Sequence, residues 1–323
     1  MTMLYSSPIF LEHDTGQHPE KAERLRCVTR HLSEQGLDAK CRRPEIVPVS
    51  LERLGRVHSL RYVAEIDEFA ERHGGYIEAD TVVSRRSYHV ALHAAGAVCD
   101  AVERVLRGDD RLALCLIRPP GHHALEKSAM GFCLFNNIAA GARVATREFG
   151  LERVLIVDWD VHHGNGTQDM FWRDPQVAFF SAHRFPFYPG TGDRDEVGAG
   201  AAIGTKKNLP VRFGTPRKDY LAMFTNELET FADRVRPQLV LISAGFDAHR
   251  LDPIGSLGLE TEDFTTLTQC VLRVAEVHSG GKIVSVLEGG YNTDVLPACV
   301  ETHLRQLLAA TPPEKANSPD PQP

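Results

Sequence analysis

Five short apolar runs punctuate the chain, at residues 112–117, 154–157, 177–181, 239–243 and 283–287. Each is too short for an ordinary helix and rich in β-branched residues, the pattern of a strand buried in a sheet. Between most of them, residues 84–106, 136–149, 216–235 and 261–277 carry apolar positions at three- and four-residue spacing, as covering helices do. Pro216 near the start of its segment, and Gly280-Gly281 after the last one, sit where helix boundaries prefer them. The alternation predicts an α/β fold: a single-domain, open, mostly parallel β-sheet with helices on both faces. No internal repeat and no Gly/Ser/Pro linker breaks the pattern, so residues 1–310 are expected to form one domain. The segment 311–323 holds five prolines among polar and charged residues. Such a composition cannot build a core, and a disordered tail is expected.

In a parallel sheet the carboxyl ends of the strands lie on one side, and sites form there. The run 112–117 leads to His122 and His123, and 154–157 leads to Asp158, Asp160 and His162. The run 239–243 leads to Asp247, and 283–287 to Tyr291. Asp160 and His162 are two residues apart, so on an extended exit both side chains can face the same way. Asp247 would complete an Asp/His/Asp set for one divalent metal with coordination left open. Two carboxylates make the ion a weaker Lewis acid than three imidazoles would, while still lowering the pKa of bound water. Zinc is expected, one per chain, although iron or cobalt would accept the same ligands. The plainer reading of Asp158 and Asp160, caps of the next helix, loses ground once His162 and Asp247 join them.

With 323 residues the chain can bury a large core. Its formal charge of −7 argues against nucleic-acid or anionic-membrane surfaces and tolerates a cationic substrate. The seven cysteines are scattered and never spaced C-x-x-C, which indicates neither a disulfide framework nor a cysteine zinc site. They fit a reducing cytoplasm. The first residues lack a secretory pattern and no run of 18 apolar residues occurs, so neither export nor a membrane span is expected.

Arg118-Pro119-Pro120-Gly121-His122-His123, Gly131-Phe132-Cys133-Leu134-Phe135-Asn136-Asn137, Asp158-Trp159-Asp160-Val161-His162-His163-Gly164-Asn165, Ala244-Gly245-Phe246-Asp247 and Glu288-Gly289-Gly290-Tyr291 together resemble the zinc-dependent histone deacetylase family. Asn165 and the stretch from His13 to Glu20 resemble its class II and bacterial acetylpolyamine amidohydrolase branch. The resemblance implies that Asp158 orients His122 and Asn165 orients His123. His123 would be general base and then general acid, with His122 electrostatic. Tyr291 would stabilise the oxyanion. Gly131, Phe132 and Tyr188 would wall a narrow channel, with Asp80 as an acid at its rim. Structural potassium would be held by Asp158, Asp160, His162, Ser181 and Ala182, and a further monovalent ion by Phe171, Asp174 and Val177.

The reaction implied is removal of an acetyl or short acyl group from acetyl-lysine, an acetylpolyamine or another amine. Glu288 and the net charge would suit a cationic amine tail. An acyl-ligand binding protein without turnover is one alternative, and an arginase-like dinuclear ureohydrolase is another. The first should lack a ligand, base or phenol, and none is missing. In the second, a further Asp is needed where His249 stands, so His249 and Asp252 are expected to support the loop instead. The interval between Glu20 and Asp80 is too short for a large insertion reaching in from a second copy, and a homo-oligomer stays open.

Overall fold

The computed structural model of the protein describes residues 2–72 and 74–310; the segment 311–323, expected to be disordered, lies outside them. In chain order come β1 (Met3–Tyr5), α1 (Glu23–Glu34), α2 (Leu51–Leu54), α3 (Leu60–Arg72), β2 (Gly75–Glu78), β3 (Thr81–Val83), α4 (Ser87–Arg107), β4 (Leu112–Cys115) and α5 (Asn137–Arg147). They are followed by β5 (Val154–Asp158), α6 (Asn165–Met170), β6 (Val177–Arg184), β7 (Lys206–Val211), α7 (Arg217–Val235), β8 (Leu239–Ala244), α8 (Asp263–Ser279), β9 (Ile283–Leu287) and α9 (Leu296–Ala310). Seven strands form one sheet in the order β1-β4-β9-β8-β5-β6-β7, and every neighbouring pair is parallel. β2 and β3 pair separately as an antiparallel hairpin.

The five strands expected from the sequence are the five central ones. Every residue of β4, β5, β8 and β9 is buried. Because successive side chains of a strand face opposite ways, the sheet must be covered on both faces. α4 and α5 pack on each other and on β4, β9, β8 and β5, whereas α7 and α8 pack on each other and on β6, β7 and β8. The helix boundaries have local causes. Asn136 caps α5 by accepting the Ala139 N–H at 3.0 Å, and left-handed Gly280 closes α8. α4 begins at Ser87 rather than at residue 84, because the Ser87 hydroxyl accepts the Ser84 N–H at 2.7 Å and holds the preceding residues in a turn. The edge strands β1 and β7 have no apolar run to announce them. β7 even contains Pro210, which an edge strand tolerates.

The strand order gives the fold its function-bearing geometry. β4, β9, β8 and β5 are consecutive in the sheet, so the four loops that carry the candidate chemistry leave from adjacent strands.

A buried ionic frame ties the amino-terminal segment to these loops. Glu20, Arg24 and Arg118 are all fully buried. Arg118 grips Glu20 with two nitrogens, at 2.5 and 2.7 Å, and Arg24 approaches the same carboxylate at 3.1 Å. Arg24 then donates to the carbonyls of Gly290 at 2.6 Å and Glu288 at 2.5 Å, while Arg118 donates to those of Phe10 and His13. Burial pushes the Glu20 carboxyl up, but the Arg118 guanidinium outweighs it and leaves the group at about 2.

Replacing Glu20 by Gln strands two buried guanidinium groups and should cost about 3–5 kcal/mol in chemical denaturation. Since the folded value lies below the ordinary glutamate value, the stabilisation is complete above the latter and is lost as pH falls towards about 2. Glu20→Gln should therefore show a shallower acid limb than the wild type. Parallel acid limbs would remove Glu20 from the frame's energetics.

Candidate metal centre and active site

Beyond Asp158, the last residue of β5, the chain bends through buried Asp160 and His162 instead of running on extended as expected, because the His162 N–H turns back onto the Asp160 carboxylate. Asp160 accepts two backbone N–H groups, that of His162 on Oδ1 at 2.9 Å and that of Gly289 on Oδ2 at 2.8 Å, and donates its own N–H to Asp158 Oδ1 at 3.1 Å. Asp247, beyond β8, accepts the Val161 N–H on Oδ1 at 2.9 Å. These bonds turn Asp160, His162 and Asp247 together, so that one ligand atom from each lies within 4.8 Å of the other two. His162 Nδ1 stands 3.1 Å from both Asp160 Oδ1 and Asp247 Oδ2.

The donor set fits a cation. Asp247 Oδ2 is fully enclosed and, although near His162 Nδ1, has no donor aligned with it. Burial and then the adjacent Asp160 charge push the Asp247 carboxyl up to about 7, the response of an acid packed against another acid. Space is reserved for oxygen atoms alone. A Cβ on Gly289 would fall 2.2 Å from Asp247 Oδ2 and 2.5 Å from Asp160 Oδ2. Asp158 and Asp160 are therefore not helix caps: α6 starts after Gly164 without a side-chain cap.

The loop after β4 brings two imidazoles beside this cluster, their rings 4.0 Å apart. His122 Nδ1 faces Asp158 Oδ2 at 2.9 Å, and His123 Nδ1 faces Asn165 Oδ1 at 2.7 Å. Burial disfavours charge on both. For His122 the carboxylates of Asp158 and Asp160 override it and lift the ring to about 10. For His123 burial is joined by the neighbouring His122 and His162, and its pKa falls well below the ordinary value.

Tyr291 is nearly buried and is gripped from both sides. Asp252 Oδ2 accepts its N–H at 2.7 Å, and the Arg24 guanidinium lies 4.8 Å from its ring centre. Burial pushes the phenol well up, so it remains a donor. Above the cluster opens a cavity of about 220 Å³ lined by Asp80, His123, Gly131, Phe132, His162, Phe187, Tyr188, Ile254 and Tyr291. Phe132 stands edge-on to Tyr291 at 5.5 Å, and Tyr188 edge-on to His123 at 5.2 Å. Gly131, at φ +57°, lets the loop pass over His123; a Cβ there would meet the ring at 2.3 Å.

All the expected metal, base, phenol and channel residues thus converge, with refinements. Asp80 lines the cavity, but its Oδ1 accepts the Gly131 N–H at 3.1 Å and the Thr81 hydroxyl at 2.8 Å, so it also braces the channel loop. Glu288 does not face a substrate's amine tail. It is fully buried, and accepts the Gly121 and His122 N–H groups at 2.7 and 3.2 Å and the Ser243 hydroxyl at 3.0 Å. It positions the His122-His123 loop. Three contributors escaped the sequence: Phe187, stacked on His162 at 5.3 Å, Ile254 in the channel wall, and Arg24 beneath Tyr291. Phe187 precedes Tyr188, and that adjacency was the available signal; a lone Ile or Arg offered none. His249 is buried and is not one of the three clustered ligands; its Nδ1 accepts the Leu251 N–H at 3.2 Å and Asp252 accepts the Gly255 N–H at 3.0 Å, so both hold the loop as expected. Of the structural-cation residues, Ser181 pairs with Asp158 in the register of β5 and β6. Phe171, Asp174 and Val177 lie apart from them, where α6 leads into β6.

A parallel sheet whose central loops join the Asp160, His162 and Asp247 cluster, two further imidazoles and a phenol beneath a cavity is the arrangement that the sequence resemblance implies for one class of amide-hydrolysing enzymes. Within that class the chain belongs to the histone deacetylase family, for the family description "Histone deacetylase domain" matches residues 18–307. It is 36% identical to Histone deacetylase 14, chloroplastic, of Arabidopsis thaliana, over 95% of this chain and 76% of that one. It is also 36% identical to the Histone deacetylase-like amidohydrolase of Pseudomonas aeruginosa, over 87% and 74% respectively. Polyamine deacetylase HDAC10 of Mus musculus is 40% identical, over 91% of this chain and 46% of its own length. The solved HDA15 HD domain superposes with a TM-score of 0.89 at 35% identity, covering 95% of this chain and 88% of that one. The protein is a deacetylase-type hydrolase of linear amides. No helix among the described residues is long and apolar enough to cross a membrane.

Gly131→Ala should displace the His123 ring and lower deacetylase turnover by roughly tenfold to a hundredfold, with an unchanged circular dichroism spectrum. Turnover at the wild-type rate would mean that the loop yields and that the 2.3 Å approach is not limiting.

Proposed function

We propose that the protein is a zinc-dependent deacetylase that releases a carboxylate and a primary amine from an acylated amine. The observation that carries this reading is the meeting of Asp160, His162 and Asp247 at the foot of a cavity that His123 and Tyr291 also line. Asp160, His162 and Asp247 would hold one zinc ion per chain. Once bound, zinc supplies Lewis acidity, polarising the acyl carbonyl and making water a competent nucleophile near neutral pH.

The chain's own residues do the rest. Asn165 points its amide nitrogen at Met130 Sδ, 3.3 Å away, so its oxygen accepts from His123 Nδ1 and leaves Nε2 free to take a proton. His123 removes the proton of the attacking water and returns it to the amine nitrogen as the C–N bond breaks. His122, paired with Asp158, supplies positive charge nearby. Tyr291 keeps its proton and donates to the carbonyl oxygen as that oxygen becomes negative. Phe132, Phe187 and Tyr188 enclose an aliphatic chain and exclude water from the amide.

Acetyl-lysine and acetylpolyamines are the substrate classes that suit this channel; a relative named polyamine deacetylase keeps the second in view. Residues 1–310 are read as one catalytic domain, and structural potassium as held by Asp158, Asp160, His162, Ser181 and Ala182. A cytoplasmic setting is supported by seven cysteines that all remain unpaired.

Tyr291→Phe should retain zinc by elemental analysis yet lose roughly two to three orders of magnitude in kcat; a near-normal kcat removes the phenol from the mechanism. Asp247→Ala should lose zinc altogether, and full occupancy in that variant rules it out as a ligand. A panel of acetyl-lysine peptides and acetylated polyamines on zinc-loaded protein ranks the substrates, and hydrolysis of neither class refutes the reading.

A further inference from the structure

The sequence resemblance gives Phe171, Asp174 and Val177 as holders of a second monovalent ion, and there the structure disagrees. Lys206, in edge strand β7, is almost completely buried. Its Nζ donates to the Val177 carbonyl at 2.9 Å and lies 3.4 Å from the Asp174 carbonyl. The third partner is the Thr205 hydroxyl at 2.7 Å, whose own hydrogen is already given to the Ala202 carbonyl at 2.7 Å. The nitrogen therefore faces three oxygen acceptors, an arrangement that suits a donor with three hydrogens. The Asp174 carboxylate is turned elsewhere: it pairs with Arg143 of α5 and accepts the Gln176 N–H at 2.9 Å. Arg143 in turn lies over the Phe171 ring at 4.6 Å. A free cation does not fit carbonyls that already receive an ammonium.

We propose that Lys206 is a tethered cation, its ammonium standing where a potassium ion would otherwise bridge the carbonyls of Asp174 and Val177. The turn between α6 and β6 is then pinned from two sides, by Arg143 on the Asp174 side chain and by Lys206 on the main chain. That turn matters to the site because α6 begins at Asn165, the partner of His123, and β6 carries Ser181 beside Asp158. This segment's order becomes independent of the surrounding potassium concentration. The position beside the carbonyls of Asp174 and Val177 would be vacated by shortening the side chain, and a small monovalent ion could then enter.

Burial pushes the Lys206 ammonium down to about 7, with Asp174 opposing and Arg143 adding to the effect, so the comparison is best run below neutrality. Melting temperatures of wild type and Lys206→Ala are measured in choline chloride and again after replacement by potassium chloride. In choline the variant should melt roughly 5 °C or more below wild type. Potassium should restore a substantial part of that loss and raise the variant more than it raises the wild type, which subtracts any ion bound by the Asp158 and Ser181 set. Equal gains in the two proteins overturn the proposal, as does a variant as stable as wild type in choline. Should Lys206→Ala fail to fold, wild-type crystals soaked in thallium(I) decide the matter through anomalous scattering. The carbonyls of Asp174 and Val177 should carry no thallium, and a peak bonded to both would sink the idea.

Discussion

Four fully buried carboxylates, Asp158, Asp160, Asp247 and Glu288, crowd the carboxyl ends of three adjacent strands, β9, β8 and β5, and their demand for compensation organises the rest of the site. Burying one ionised acid is expensive, and burying several side by side is more so. Each is therefore supplied with donors. Glu288 takes two backbone N–H groups and the Ser243 hydroxyl; Asp158 takes His122 and the Asp160 N–H; Asp160 takes His162 and Gly289. Asp247 is left with one oxygen enclosed and undonated, pointing into the cluster. The dication proposed above would account for that oxygen, and the glycines at 245 and 289 account for its room: a Cβ at either would come within 2.2 Å of an Asp160 or Asp247 oxygen.

The amino-terminal frame explains how such a cluster holds its shape. Glu20 neutralises one guanidinium and leaves the pair with a net positive charge, which Arg24 directs onto the carbonyls of Glu288 and Gly290. The same cation underlies Tyr291, so the phenol's loop is fixed by Arg24 below and Asp252 at its backbone. A stretch of sequence far from the sheet's chemistry thereby sets the position of a group in the cavity wall. Residues that act through a neighbour in this way are invisible to spacing arguments, because their partners are carbonyl groups.

Legibility followed burial and periodicity. Central strands and their covering helices were readable, since a strand covered on both faces must be apolar throughout, and Asp160, His162 and Asp247 were readable because they follow such strands. β7 was not. Its sequence, Lys206 to Val211, begins with two lysines, and lysine is almost always exposed; only the carbonyl cage beside Val177 makes burial tolerable. Glu288 was misread for a related reason. An acid after a strand in an acidic chain suggests a solvent-facing charge, but here the N–H groups of Gly121 and His122 approach it across the sheet, a contact between residues 167 and 166 positions apart.

The tandem histidines show how finely the surroundings divide two identical side chains. His122 and His123 share a loop, are equally enclosed, and stand 4.0 Å apart, so neither exposure nor local sequence distinguishes them. Their partners do. Asp158 offers His122 a full negative charge at the end of β5, whereas Asn165 offers His123 only a carbonyl oxygen at the start of α6. One ring is driven up to about 10 and the other well below its ordinary value, each change reinforcing the other because the charge on His122 repels a second proton on His123. Exchanging the amide of Asn165 for a carboxylate would weaken that division, which locates the asymmetry of the pair in the side chains that face the two rings.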